Sequence, residues 1–237
     1  WGGSATVLDD WFRDDEMDGG FDFTFRGECR SFVEARARTI AYAAYLERRH
    51  RVREGYHLAH YLSSHDEPMQ LHELGGDEEA LRLCVALQMT SLGIPVIYYG
   101  EEVARPGSVW PLNRSDMPWG RREIEPGRGL SRDESMRDYY SKLIGIRRAH
   151  PALASGHFSR LSSDGDLLVF SREDEASNDA VVVAVNRGKT VARTSVAAPA
   201  RWQGEVIDAL NGEAAARTGA MLEVNVSPRS ARVYVAR

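Results

Sequence analysis

The stretch from His57 to Glu102 reads HLAHYLSSHDEP (His57–Pro68), then after a short connection DEEALRLCVALQMTSLG (Asp77–Gly93), then IPVIYYGEE (Ile94–Glu102). Its first residues, His57 to Leu62, are a strand-length run that ends in the polar cluster Ser63, Ser64, His65, Asp66, Glu67 and Pro68. Asp77 stands where a helix N-cap belongs. Leu81, Leu83, Cys84, Val85, Leu87 and Gln88 fall on or near the buried side of the helix it would start, and Gly93 ends that helix. Ile94 to Tyr99 is then a short apolar run of the kind a parallel sheet buries on both faces. Strand, helix, strand predicts a parallel α/β arrangement, in which loops at the carboxyl ends of the strands build the functional site.

Outward from this stretch, Phe21, Phe23 and Phe25 alternate with Asp22 and Thr24 and predict a further strand. Residues 1–20 read as loop with one short helix. Between Ser31 and Arg53, Phe32, Val33, Ala37, Ile40, Ala41, Ala44 and Tyr45 recur at helical spacing, with Arg48, Arg49 and Arg51 at the far end, which predicts one long amphipathic helix. A helix from Asp133 to His150 closes an α/β part expected over residues 1–152. The pattern then changes to short runs, among them Leu167–Phe170, Ala180–Val185, Gly204–Leu210, Leu222–Val226 and Ala231–Val235, with turn signals at Asp164-Gly165 and Asn211-Gly212. An antiparallel β-sandwich is expected over residues 153–237.

Of the 237 residues, 43% are hydrophobic and 27% charged, the make-up of a globular chain rather than a disordered or collagen-like one. A net charge of -5, with the arginines scattered, gives no broad cationic field for nucleic acid or anionic lipid. The longest apolar run, Ile94 to Tyr99, falls far short of the ~20 residues of a membrane-spanning helix. Neither nucleic acid nor membrane is expected as a partner. Cys29 and Cys84 offer no disulfide framework and read as buried free thiols. A metal site built from His57, His60, His65 and His72 is not expected, because His57 and His60 point to opposite faces of a strand and no HExxH set is present. A Walker loop, a GxGxxG turn and a GxSxG elbow are likewise missing from the sequence.

An ionised aspartate beside an imidazole at a strand tip can hold a sugar's vicinal hydroxyls, and the same carboxylate can favour positive charge developing on a glycosyl carbon. His65 and Asp66 have that arrangement. Competing readings stand beside it: the His-Asp pair as a loop cap or ion pair, Glu101 and Glu102 as solvated or helix-capping, and Tyr98, Trp110 and Trp119 as core rather than sugar-stacking platforms.

Three segments in order, Tyr61–Pro68, Gly93–Glu102 and Asn113-Arg114-Ser115-Asp116-Met117-Pro118-Trp119, resemble the α-amylase family, glycoside hydrolase family 13. The resemblance implies the C-terminal part of a (β/α)8 barrel, about strands six to eight, followed by the family's C-terminal β-sandwich, with Val181–Asn186 and Asp208–Gly212 in the expected places. It implies that Asp66 is the aspartate that fixes substrate hydroxyls and stabilises the transition state, with His65 its substrate-binding neighbour. Glu67, Glu101 and Arg114 are further substrate-binding candidates; barrel support is the other role for Glu101, and an ion pair the other role for Arg114.

The family's nucleophilic aspartate lies in a G-x-R-x-D segment and its acid/base glutamate follows the next strand. Neither segment occurs here, and Trp1-Gly2-Gly3 reads as residues just past that glutamate. The expectation is a retaining hydrolase or transglycosidase of α-glucosidic bonds in starch-like or maltooligosaccharide substrates, completed by an N-terminal segment or partner chain, with these residues inactive alone. No cofactor is expected in this chain, and calcium is left open for the remainder. The alternative is a non-catalytic carbohydrate-binding or scaffolding module derived from the family.

Overall fold

The computed structural model describes residues 7–8, 10–11, 16–49, 55–119 and 132–237. Three parallel strands, β1 (Gly19–Asp22), β2 (His57–Tyr61) and β3 (Ile94–Val96), pair in that order, with Asp22 opposite His60 and Tyr61 opposite Val96. Helices make the crossovers: α1 (Phe25–Val33) and α2 (Thr39–Arg49) lead to β2, α3 (Gln70–Glu73) and α4 (Glu78–Thr90) lead to β3, and α5 (Glu134–Ala149) follows. Parallel pairing places all three carboxyl ends on one side of the sheet, so the loops that leave β2 and β3 are neighbours.

Asp77 caps α4 by accepting from the Ala80 amide at 3.0 Å, and Asp133 caps α5 by accepting from the Ser135 amide at 2.8 Å. The other end of α4 is held differently. Its last carbonyls lack intrahelical partners, and guanidiniums from three elements take these and the carbonyls of the turn that follows. Arg147 of α5 donates to the carbonyls of Met89 at 2.7 Å, Ser91 at 3.0 Å and Gly93 at 2.6 Å. Arg49 of α2 donates to Leu92 O at 2.9 Å, and Arg172, on β5 (Leu167–Asp174), to Thr90 O at 2.9 Å. Gly93 turns into β3 with φ 110°, where a side chain would run into the Leu58 carbonyl.

Arg49 also ties the sheet to this end of the helix. It pairs with the buried Asp22 at the tip of β1, donates to the Tyr45 hydroxyl at 3.2 Å, and lies 3.2 Å from His60 Nδ1 on β2. His60 Nε2 donates to Gln88 O at 2.9 Å, which leaves Nδ1 to accept from Arg49. Burial, followed by the Arg49 charge, holds the His60 pKa well below its usual value, in keeping with the neutral ring.

Three details differ from the sequence reading. The strand expected over Phe21–Phe25 ends at Asp22, because Asp22 Oδ1 accepts from both the amide and the hydroxyl of Thr24 and turns the chain into α1, which begins with Phe25. The long helix expected from Ser31 is two helices. The chain breaks after Val33, with Ala35 at φ 57° and the amides of Arg36 and Ala37 both returning to Ser31 O; Arg51 and Arg53 lie outside the described residues, as do Trp1, Gly2 and Gly3. Ile94–Tyr99 is not a strand buried on both faces. Pairing covers only Ile94–Val96 at the edge of the sheet, and Ile94 is 50% exposed.

The β part comprises a six-stranded antiparallel sheet, ordered β4 (His157–Asp164), β5, β6 (Asp179–Asn186), β12 (Ser230–Ala236), β8 (Val206–Asp208), β9 (Glu213–Ala215), and a three-stranded antiparallel sheet, ordered β10 (Arg217–Thr218), β11 (Met221–Val226), β7 (Ala192–Ala197). The two-residue period of β6 separates two cores. Val181, Val183 and Val185 join Phe25, Leu46, Leu87, Tyr140 and Phe170 in one cluster with the helices, whereas Ala180, Val182 and Ala184 pack with Val196, Trp202, Leu222 and Val224 toward the smaller sheet. The core is therefore continuous across residue 152. Cys29 and Cys84 are buried free thiols within it. Among the described residues no helix is long and apolar enough to cross a membrane.

Replacing Arg49 by Leu strands the Asp22 carboxylate in the core, a loss expected to cost about 3–5 kcal/mol. Adding Asp22→Asn to Arg49→Leu should recover part of it. Denaturant unfolding of the complete protein measures both; equal stability of the single and double variants would contradict the pairing.

Candidate functional site

Loop 62–69, at the carboxyl end of β2, carries the sequence-predicted residues His65, Asp66 and Glu67. Residues from three directions hold it. Asn113 donates its amide to His65 O at 2.8 Å and Glu67 O at 3.1 Å, and Arg114 donates Nε to His65 O at 2.9 Å and Nη2 to Asp66 Oδ1 at 3.2 Å. From α1, Arg26 donates to Leu62 O at 3.1 Å and Pro68 O at 3.0 Å and pairs with Glu67 at 3.1 Å. Beneath the loop, the Met69 amide donates to Gly107 O at 2.8 Å.

His65 Nε2 lies 3.3 Å from Asp66 Oδ2, so each oxygen of Asp66 has one protein neighbour. An ionised carboxylate accepts about four hydrogen bonds, and the remaining lone pairs are open to a ligand, since the Asp66 side chain is 61% exposed. The described elements hold the loop from below and beside it, and none covers its tip. His65 is equally open and Arg114 half-exposed, so Asp66, His65 and Arg114 form one cluster; Glu67 turns toward Arg26.

Glu101 lies apart. It is buried and accepts the Tyr140 hydroxyl at 2.6 Å, which joins the loop after β3 to α5. Its carboxyl thus faces Tyr140 of α5 and stands outside the cluster of Asp66, His65 and Arg114. A cleft of about 620 Å³ elsewhere, lined by Arg193, Glu213, Glu223 and Asn225 in the β part, contains none of the sequence-predicted residues.

The family model "Alpha amylase, catalytic domain" matches residues 1–119. The chain belongs to the alpha-amylase family. Within it, the chain is 31% identical over 185 residues to neopullulanase 2 of Thermoactinomyces vulgaris, covering 76% of this chain and 30% of that protein. It is 29% identical over 175 residues to a cyclomaltodextrinase of Geobacillus thermopakistaniensis, covering 73% of this chain and 28% of that one. The alpha-amylase of H. orenii has a similar fold, with a TM-score of 0.79 at 18% identity, covering 100% of this chain and 52% of that structure. The chain thus spans less than a third of the relatives' sequences and about half of the solved structure.

Two residues that hold this loop escaped the sequence reading. Asn113 was visible beside Arg114 in the quoted motif but carried no assigned role. Arg26 bonds groups 36 and 42 positions away, and no local pattern announces such a contact.

Burial raises the Glu101 pKa to about 7, with the nearby Glu102 adding to the rise and hydrogen bonds from Ser63 and Tyr140 opposing it. The folded protein thus keeps this proton up to about pH 7, whereas the unfolded chain releases it near the model-peptide value of 4.5. Between these values the folded state binds more protons, so the Glu101 contribution to stability falls as pH rises and levels off above about 7. Glu101→Gln should remove that slope and gain on the wild type by an amount of the order of 2 kcal/mol between pH 5 and pH 8. Denaturant unfolding across that range tests it. His60 acts with the opposite sign below its unfolded pKa but is common to both proteins; parallel profiles would contradict the assignment.

Proposed function

We propose that the complete protein is a retaining glycoside hydrolase or transglycosidase acting on α-glucosidic bonds of starch-like or maltooligosaccharide substrates. In this reading residues 1–152 supply about strands six to eight of a (β/α)8 barrel and residues 153–237 the C-terminal β-sandwich. The carrying observation is Asp66, at the carboxyl end of a parallel strand, held by His65 and Arg114 with its remaining lone pairs open. The relatives named neopullulanase and cyclomaltodextrinase support the substrate class.

A nucleophilic aspartate and an acid/base glutamate, supplied by a segment or chain outside these residues, would perform the bond chemistry. In such a reaction the aspartate attacks the anomeric carbon while the glutamate protonates the leaving oxygen, and water or an acceptor hydroxyl then releases the glucosyl group. Asp66 would accept hydrogen bonds from ring hydroxyls and offset positive charge at the anomeric carbon. His65 would donate to the same ring, and Arg114 would keep the carboxylate in place.

The sheet supports incompleteness as well. β1 and β3 are both edge strands, and on the face away from the helices Phe21, Phe23 and Tyr61 form an edge-to-face cluster with Phe21 51% exposed. Open edges and the exposed rings of Phe21 and Phe23 are what a barrel buries against its remaining strands.

Assays on maltooligosaccharides and an activated α-glucoside test the reading. The complete protein should turn over, residues 1–237 alone should not, and Asp66→Asn in the complete protein should lower turnover about 10²-fold or more. Activity of residues 1–237 alone through stringent purification, or normal turnover by Asp66→Asn, would contradict it. Sugar binding without turnover by the complete protein would favour a non-catalytic module.

A further inference from the structure

Arg105 is fully buried, yet among the described residues no carboxylate pairs with it. Burying a lone guanidinium is costly unless its donors are met, and here neutral groups of one loop take donors of both Nη atoms, while Nε has no hydrogen-bond partner among the described residues. Nη1 donates to Ser115 Oγ at 2.8 Å, and Nη2 to Asn113 O at 3.1 Å and Tyr99 O at 3.2 Å. The Tyr99 ring lies 4.5 Å from the guanidinium carbon, a cation–π distance. Nη2 also lies 3.3 Å from Met69 Sδ, beneath the β2 loop. Gly100, at φ 84°, makes room, since a side chain there would collide with Nε and Cδ of Arg105.

The groups that Arg105 holds bracket the groups that hold the site. Asn113 O and Ser115 Oγ are bound to Arg105, while the Asn113 amide and the Arg114 guanidinium reach across to His65 O and Asp66 Oδ1. Tyr99 closes the same loop by donating its hydroxyl to Ser115 O at 2.9 Å. The planar fork suits this task because it fixes several carbonyl and hydroxyl oxygens at set angles, which the single ammonium of Lys does not.

We infer that Arg105 is a positioning residue: it folds the loop after β3 so that Asn113 and Arg114 set the place of the Asp66 carboxylate. The inference rests on the proposed role of Asp66, and it predicts that the effect of Arg105 on turnover passes through Arg114. An error of about 1 Å in the placement of a stabilising group can cost up to 10²-fold in rate.

The test uses the complete protein with Arg105→Lys, the milder Ser115→Ala, Arg114→Ala, and the double variant Arg105→Lys/Arg114→Ala. Arg105→Lys should lower kcat of the folded protein about tenfold or more with KM changed less than about threefold. Ser115→Ala should do the same to a smaller degree. The double variant should be little worse than Arg114→Ala, as expected of residues in one chain of contacts. Independent, additive effects, or normal kcat in both Arg105→Lys and Ser115→Ala, would overturn the inference. Amide hydrogen exchange gives a readout that needs no activity: Arg105→Lys should exchange faster at residues 66–69 with α4 unchanged. Unchanged exchange at 66–69 would overturn the positioning role, whereas faster exchange in a protein without any α-glucan turnover would retain the positioning and overturn only the proposed function.

Discussion

Around the carboxyl end of α4, guanidiniums from α2, α5 and β5 converge on carbonyls of the last helical residues and of the turn that follows. Cations belong there, where the aligned peptide dipoles leave partial negative charge. The convergence also sets like charges together in the interior: burial first, and then Arg147 and Arg49, pull the Arg172 pKa down to about 9, which leaves it charged at neutral pH. Carbonyls of residues 89 to 93 compensate the three, and Asp22 adds a full negative charge beside Arg49. Because the three arginines come from the crossover before β2, the helix after β3 and the six-stranded sheet, this point ties the parallel sheet to helices α2, α4 and α5 and to the β part.

The site depends on that frame through strand position. With β1, β2 and β3 held in parallel register, the loops after β2 and β3 leave the sheet side by side, and the second can grip the first. Nearly all of the grip is made on backbone carbonyls, of His65, Glu67, Leu62 and Pro68, so it fixes the path of the loop while the Asp66 side chain stays open. Support from below with an open tip is the arrangement a substrate-facing loop needs. The same logic explains the separate place of Glu101, whose bond to Tyr140 belongs to the seam between the β3 loop and α5.

What the sequence disclosed follows the range of the forces involved. Asp77 as the cap of α4, Asp133 as the cap of α5, and the short apolar runs of β5, β6, β11 and β12 rest on neighbours a few residues away. The family motifs placed His65, Asp66 and Arg114 together because their spacing reflects adjacent strand ends. Side-chain bonds that override a periodic pattern were hidden even at short range: the alternation at Phe21–Phe25 has the pattern of a strand, but the Asp22 carboxylate turns the chain at Thr24. Helical spacing continued through Ala35 with no glycine or proline to mark the break. Ile94 read as doubly buried because hydrophobicity does not reveal that β3 is an edge. Arg26 and Arg105 act on oxygens brought to them by tertiary structure, so nothing in their local sequence singled them out.

In the proposed reading Asp66, placed by the neighbouring loop, receives the sugar. A crystal structure of the complete protein with a non-hydrolysable maltooligosaccharide analogue bound tests it most directly. The expected result is a glucose ring with hydroxyls within hydrogen-bonding distance, about 2.5–3.2 Å, of the Asp66 carboxylate and His65, with Arg114 still donating to Asp66. A saccharide bound only elsewhere, for instance in the cleft lined by Arg193, Glu213 and Asn225, with Asp66 left facing solvent, would contradict it.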